Sequence, residues 1–265
     1  MTNSTTRAEG YRMLDKLSKW YYGHYVDTSN NILSFNDGTD KTATLNVGDF
    51  SLTEFIVEVQ RALNAASSLT FTVSVDRSTR LVTIAAGSTF ELQTTSGSPL
   101  SPYSLLGFSG PDKVSATSYT GGAASGSVFL PQLELQKYSP FGNHQIASYS
   151  NVAKSASGTV QVISFGTDDF MTCDVQFQTN NNTTGSVIEN QANGLDNLRT
   201  FLQYAVLKRK LEFISDRDQE NLFDKCILES TQVSSTGTGY KLNEYLGRGL
   251  PGFYSSGILK FRKMS

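Results

Sequence analysis

Phe50-Ser51-Leu52-Thr53-Glu54-Phe55-Ile56-Val57-Glu58-Val59-Gln60-Arg61-Ala62-Leu63-Asn64-Ala65-Ala66 is followed almost at once by Leu69-Thr70-Phe71-Thr72-Val73-Ser74-Val75-Asp76. The first stretch has helical spacing, with Leu52, Phe55, Ile56, Val59, Leu63 and Ala66 on one face. The second alternates apolar and polar residues, the period of a half-buried strand. Ser51 and Glu54 have the spacing of a capping box, and Phe50 and Phe55 hold the two positions of a hydrophobic staple. The spacing predicts a helix from about Leu52 to Ala66. A single amphipathic helix among strands has to bury its apolar face on a sheet, so this stretch sets an α+β unit.

Upstream, Asn31 to Asn36 reads as a strand, Asn36-Asp37-Gly38 as a turn and Lys41 to Val47 as the return strand. Before it, Tyr11, Leu14, Leu17, Trp20 and Tyr21 recur at helical spacing. Gly10 to Tyr25 is therefore expected to be a helical or extended arm that buries against its own domain or a neighbouring subunit. Downstream, Asp76-Arg77-Ser78-Thr79 turns into a strand at Arg80 to Ala86, and Thr89 to Gln93 reads as a third short strand. Leu105-Leu106-Gly107-Phe108 reads as a helical turn stopped by Gly107. Ser109 to Gly126 is rich in Gly, Ser, Thr and Ala; it reads as the connector between domains, part of it able to pair as an edge strand.

The second half is β-rich as well. Val128 to Tyr138, Thr159 to Phe165 and the alternating Met171, Cys173, Val175 and Phe177 read as strands, and Thr179 to Gly185 as a polar loop. Leu195, Leu198, Leu202, Ala205 and Val206 mark a helix from about Leu195 to Lys208. Lys208, Arg209 and Lys210 fall at its C-terminal end, where cations favour the helix dipole. Strands are expected near Leu211 to Ile214, Phe223 to Gln232 and Gly257 to Arg262. The expected class is α+β, mainly β. Residues 1–25 form an arm, 26–122 an antiparallel sheet with one amphipathic helix, and 123–265 a β-sandwich with one packed helix.

Composition narrows the function classes. A chain of 265 residues suits two domains. Only 17% of residues are charged and 38% are hydrophobic, and the neutral polar remainder suits strand faces and turns. A formal net charge of −2 lacks the basic surface that a nucleic-acid binder needs. Cys173 and Cys226 are too few for a disulfide framework and sit in apolar contexts, so buried thiols are expected. Met1 to Trp20 has no apolar core of signal-peptide type, and no stretch is long enough to span a bilayer. Synthesis in a cytoplasm is expected, which leaves the glycosylation triplets at Asn3, Asn181 and Asn182 without meaning.

The residues do not assemble into a catalytic pattern. His24 and His144 have no nearby acid in sequence and read as ordinary surface or interface histidines. Two His and two distant Cys give no zinc spacing. Asp216, Asp218 and Glu220 open like a calcium loop, but Asn221 and Ile227 replace its Gly and Glu, so an acidic turn is expected. Gly247-Arg248-Gly249-Leu250-Pro251-Gly252 has the letters of a dinucleotide loop, with Pro251 where a helix should begin and no βαβ unit around it. Cofactors are expected to be none, catalytic and metal residues likewise, and the chain to be no enzyme; only carboxylates that meet in space are left open. What is present is contact material: 12 Tyr and 16 Phe, many in turn-rich places. The candidate subunit-interface residues are Tyr11, Trp20, Tyr21, Tyr245, Phe253 and Tyr254.

The residues from Tyr22 through Val26, Ile32-Leu33-Ser34-Phe35, Gly48-Asp49-Phe50-Ser51-Leu52, Phe55 and Leu63-Asn64 continue as Phe71-Thr72-Val73-Ser74-Val75, Val82-Thr83-Ile84, Phe90-Glu91-Leu92 and Leu105-Leu106-Gly107-Phe108. This succession, over roughly residues 20 to 122, resembles a module of virion structural proteins of tailed bacteriophages. The second half is similar, more loosely, to the β-sandwich of distal-tail and tail-ring proteins, collar or adaptor. The resemblance implies a homo-oligomeric ring, often of six copies, that joins other tail proteins, with the chain located in the virion after synthesis in the host cytoplasm. It implies no nucleic-acid or membrane partner. The alternative expectation is a glycan- or receptor-binding module of a tail tip or fibre, with clustered Tyr and Trp20 as stacking platforms.

Overall fold

The structure is a computed structural model that describes residues 19–123, 128–129, 143–154, 156–158, 160–174, 195–214, 221–231, 243–245, 250–255 and 257–264. The class is α+β, mainly β, with two helices among the described residues and antiparallel sheets throughout. The chain divides into two compact units. The α+β unit is Trp20–Val128 together with Lys210–Glu212; the second unit is Met1–Lys19, Phe129–Arg209 and Phe213–Ser265.

In the α+β unit the strands are β1 (Lys19–Tyr22), β2 (His24–Val26), β3 (Ile32–Asn36), β4 (Asp40–Thr44), β5 (Gly48–Phe50), β6 (Phe71–Asp76), β7 (Leu81–Leu92) and β8 (Lys113–Ala123). Helix α1 (Leu52–Ala66) keeps the predicted bounds. Both halves of its capping box form: the Ser51 hydroxyl accepts from the Glu54 amide, and Glu54 Oε2 accepts from the Ser51 amide at 3.0 Å. Leu52, Phe55, Ile56, Val59, Ala62 and Leu63 are buried, and α1 packs on β4 and β6. The sheet runs β4-β3-β7-β6, and β8 pairs with β7. The β3–β4 turn is set by Asn36, whose Oδ1 accepts from the amide of Gly38, a glycine at φ +112.

An edge-to-face run of rings crosses this sheet. Phe35 meets Phe71 at 5.5 Å between centroids, Phe71 meets Phe90 at 5.0 Å, and Phe90 meets Tyr119 at 5.0 Å. Leu106 and Phe108 seal the core. They are delivered by a turn with two C-terminal capping bonds, Phe108 N–H to Tyr103 O and Gly107 N–H to Ser104 O, with Gly107 at φ +80. A side chain at Gly107 would lie 2.3 Å from the carbonyl oxygen of Gly122 on β8.

Trp20 and Tyr21 lie in strand β1, so of the two forms expected for the arm its described end takes the extended one. Two expectations change here. The strands predicted at Arg80 to Ala86 and Thr89 to Gln93 are one strand, β7, which spans the sheet by pairing β6 through Leu81–Ala86 and β3 through Glu91 and Leu92. Most of the expected connector is strand β8.

In the second unit, the described strands are β9 (Val128–Phe129, at the boundary), β10 (Asn143–Lys154), β11 (Val160–Asp174), β12 (Leu211–Ile214, shared with the Lys210–Glu212 segment), β13 (Asp224–Thr231), β14 (Asn243–Tyr245), β15 (Leu250–Ser255) and β16 (Ile258–Lys263). β10-β11-β16-β13 are antiparallel neighbours in that order, and β14 pairs with β15 as a second ladder. Helix α2 (Leu195–Ala205) contributes Phe201, Leu202 and Ala205 to the interior with Phe170, Met171, Leu228, Leu259 and Phe261. It ends three residues before the predicted Lys208, which sits in a left-handed conformation at φ +60. Lys208 then donates to the carbonyl oxygens of Leu228 and Glu229, so it fastens a neighbouring strand instead of ending the helix. β11 joins two predicted strands into one; residues 130–138, residues 175–177, the 179–185 loop and the 216–220 acidic turn lie outside the described residues. Leu250, Pro251 and Gly252, the described part of the Gly247–Gly252 run, lie in strand β15, where a dinucleotide loop would begin a helix.

Candidate assembly surfaces

The aromatic candidates separate once burial is known. Trp20 is 1% and Tyr21 2% exposed within the single chain, so neither has surface left for a subunit contact or for stacking on a sugar. Both assignments are corrected: these rings are core. Tyr254 is half-buried on β15, where it stands opposite Glu244 in register. Tyr245 and Phe253 lie on β14 and β15, with Tyr245 opposite Leu250, and Tyr11 lies outside the described residues. These candidates belong to different elements and do not form one described site.

A buried polar cluster that sequence reading missed sits at the N-terminus of α1. Glu212 is fully buried; its Oε1 accepts from the Thr53 amide at 2.7 Å and its Oε2 lies 2.5 Å from Arg77 Nη2. Arg77 Nη2 also donates to Thr53 Oγ1 at 2.5 Å, and the Tyr21 hydroxyl donates to the Arg77 carbonyl oxygen beneath a guanidinium stacked 5.5 Å from its ring. Lys210, two residues before Glu212, donates through its amide to Asp49 and through Nζ to Glu54, and accepts from the Gly23 amide. A carboxylate at a helix N-terminus is favoured by the helix dipole, and the guanidinium neutralises it. These hydrogen bonds and this ion pair fasten Lys210–Glu212 into the α+β unit. No sequence signal marked it, since Thr53 and Glu212 are 159 positions apart.

His24 is corrected as well. It is 5% exposed, its ring lies 4.5 Å from that of Phe55, and no hydrogen bond reaches Nε2 among the described residues. Burial lowers its pKa from 6.5 to about 4, so it is a neutral core residue at ordinary pH. Its companion His144 lies on β10. Cys226 is buried in β13, as its apolar context predicted. Glu58, also buried, is held below the usual carboxylate range by hydrogen bonds from Arg61, against the opposing effect of burial. It accepts from the Asn46 amide at 2.6 Å and so pins the β4–β5 loop to α1. Among the described residues no group of three His, Cys, Asp or Glu stands close enough to hold a metal ion, and no helix is long and apolar enough to cross a membrane.

Two open strand surfaces stand out instead. Among the described residues β8 pairs with β7 alone. Val114 to Ala123 carries no charged residue, and Val114 is 55% exposed. An edge of this kind, without charge or proline, is available for strand addition. Breaks in the β7–β8 register and a left-handed Ser115 bend it. β10, at the outer edge of the second unit's sheet, is the other. Compared with known proteins, the chain matches no protein-family model and no curated protein.

Proposed function

We propose that the protein is a non-enzymatic structural component of a phage tail, a distal-tail, collar or adaptor ring built by packing copies of itself beside other tail proteins. The observation that carries the reading is the destination of the residues behind the resemblance. Leu33, Phe35, Leu52, Phe55, Leu63, Phe71, Val73, Val82, Ile84, Phe90, Leu92, Leu106 and Phe108 are all buried, and nearly all enter one core. The pattern therefore encodes a packed module and not a set of reactive groups. That module leaves an uncharged edge open at β8, which is what a subunit built to pack side by side requires. The glycan-binding alternative loses its main platform with the burial of Trp20.

Mass spectrometry of purified parent particles tests the reading. The chain is expected in the tail fraction at a fixed multiple of other tail proteins, and electron microscopy is expected to show copies related by rotational symmetry. Absence from purified particles overturns it.

A further inference from the structure

We infer that the two-stranded ribbon of β10 and β11 is an arm that docks on a second copy of this chain. The inference rests on the assembly reading above and supplies its contact. β16 pairs with β11 only from Phe170 to Asp174, whereas β10 stays paired with β11 from Asn143 opposite Thr172 out to Lys154 opposite Val160. From Val160 to Asp169, β11 has no strand neighbour but β10 among the described residues. At roughly 3.3 Å per residue this is about 30 Å of two-stranded ribbon. Such a ribbon is marginal in water by itself and gains from a further surface.

The ribbon is also depleted of charge. From Gln145 to Thr167 the only charged residue is Lys154, where a stretch of that length at the chain's 17% would carry about four. Loss of charge marks the centre of protein interfaces, and here it coincides with exposed apolar side chains. Val160 and Val162 are 55% and 62% exposed and, two residues apart, lie on one side of β11. Ala153, Lys154 and Thr167 are exposed too.

Charge identifies the occupant. With Lys154 its single charge between Gln145 and Thr167, and with Asp168 and Asp169 paired to Arg262 and Lys263, the arm has little with which to select a strongly acidic or basic partner, and it is matched by a surface that is itself near neutral. This chain offers that surface: its net charge is −2, and its β8 strand is uncharged from Val114 to Ala123. Each copy then gives an arm and receives one, a contact that repeats from copy to copy and closes when the rotation allows. The register break opposite Tyr149/Ser150, where Phe165 is the extra residue on β11, adds local twist to the ribbon and opposes open-ended edge-to-edge growth. The contact therefore uses the face that carries Val160 and Val162.

The test uses the full-length protein, native mass spectrometry and light scattering. The wild type is expected to be a defined oligomer, and the double variant Val160→Lys/Val162→Lys a monomer with unchanged circular dichroism and a cooperative melt at a lower temperature, as the loss of a partner subunit requires. Leu222→Lys, at an exposed leucine elsewhere in the second unit, is expected to leave the oligomer intact. Hydrogen exchange on the wild type gives a second readout that does not depend on a variant folding: amides from residues 150 to 166 should slow as the protein is concentrated. A wild type that stays monomeric, or an oligomer that ignores both lysines with no change in exchange, overturns the arm. A chain found in purified tails but monomeric in solution overturns the arm alone. An oligomer broken by the lysines but absent from particles overturns the tail reading alone.

Discussion

The α+β unit and the second unit are both antiparallel and mainly β, yet their strands are held in register by different forces. In the α+β unit, rings from β3, β6, β7 and β8 meet edge to face over a core covered by α1. In the second unit, β16 is tied to both neighbours by charges as well as by its buried Leu259 and Phe261. Arg262 pairs with Asp168 on β11 and Glu229 on β13, and Lys263 pairs with Asp169 and Asp224. Lys260 sits 3.8 Å from the centroid of the Phe170 ring. These ionic groups are partly exposed, while among the described residues of the α+β unit the Arg77–Glu212 pair is buried on both sides. The lesson is that burial, not the number of ion pairs, decides what losing one charge costs: the exposed ladder can lose a member cheaply, whereas the buried pair is expected to tolerate only the joint replacement of both partners.

Glu212→Ala breaks that contrast at its strongest point. It leaves the buried Arg77 guanidinium without its carboxylate and is expected to cost about 3–5 kcal/mol in denaturant unfolding. Arg77→Met combined with Glu212→Leu should recover most of the loss, since an apolar pair needs no compensation. A cost below about 1 kcal/mol for Glu212→Ala would show that the pair is wet and would erase the distinction. Next in size is the pH response of His24. Its folded pKa of about 4 lies below the unfolded 6.5, so the unfolded chain binds the proton first as pH falls. Its contribution is complete above pH 6.5 and is lost as pH drops toward 4, by about 3 kcal/mol in all. His24→Leu should flatten the stability profile between pH 7 and 5; an unchanged slope would place the imidazole in contact with water.

Ser51→Ala sharpens the comparison at a smaller scale. Removing the buried cap of α1 should cost about 1 kcal/mol in thermal or chemical melts. Smallest is Arg262→Ala. With its side chain 35% exposed and its partners similarly open, the expected loss is below about 1 kcal/mol and should shrink further in high salt. A salt-independent loss of several kcal/mol would make the ladder, not the core, the determinant of β16 register.

What could be read in advance follows the range of the forces. The bounds of α1 were legible because Ser51, Glu54 and the apolar face are local signals that tertiary packing reinforced. The turn at Gly107 was legible for the same reason. β8 was half legible, because its Gly-, Ser- and Thr-rich letters suit a linker as well as an edge; only pairing with β7 decides between them. β10 gave no signal because its large apolar residues, Ile146, Tyr149 and Val152, do not alternate; the extra residue at the Tyr149/Ser150 register break, Phe165, belongs to β11. Around Trp20 and Tyr21 a short aromatic run suited a helical or an extended arm alike, and the strand pairing of β1 decides between them. Of the strand edges at β8 and β10, sequence showed the low charge but not which strands have a single neighbour among the described residues, a property of the topology alone.

The Lys210–Glu212 segment also bears on how the chain is made. By the time Val128 has been added, every other residue of the α+β unit has been synthesised. Arg77 and the first amides of α1 must still wait for translation to reach Glu212. A nascent chain that stops before that codon carries the Arg77 guanidinium without the Glu212 carboxylate. Completion of an early module is thereby made conditional on late synthesis, and a prematurely terminated copy is left weaker in that module.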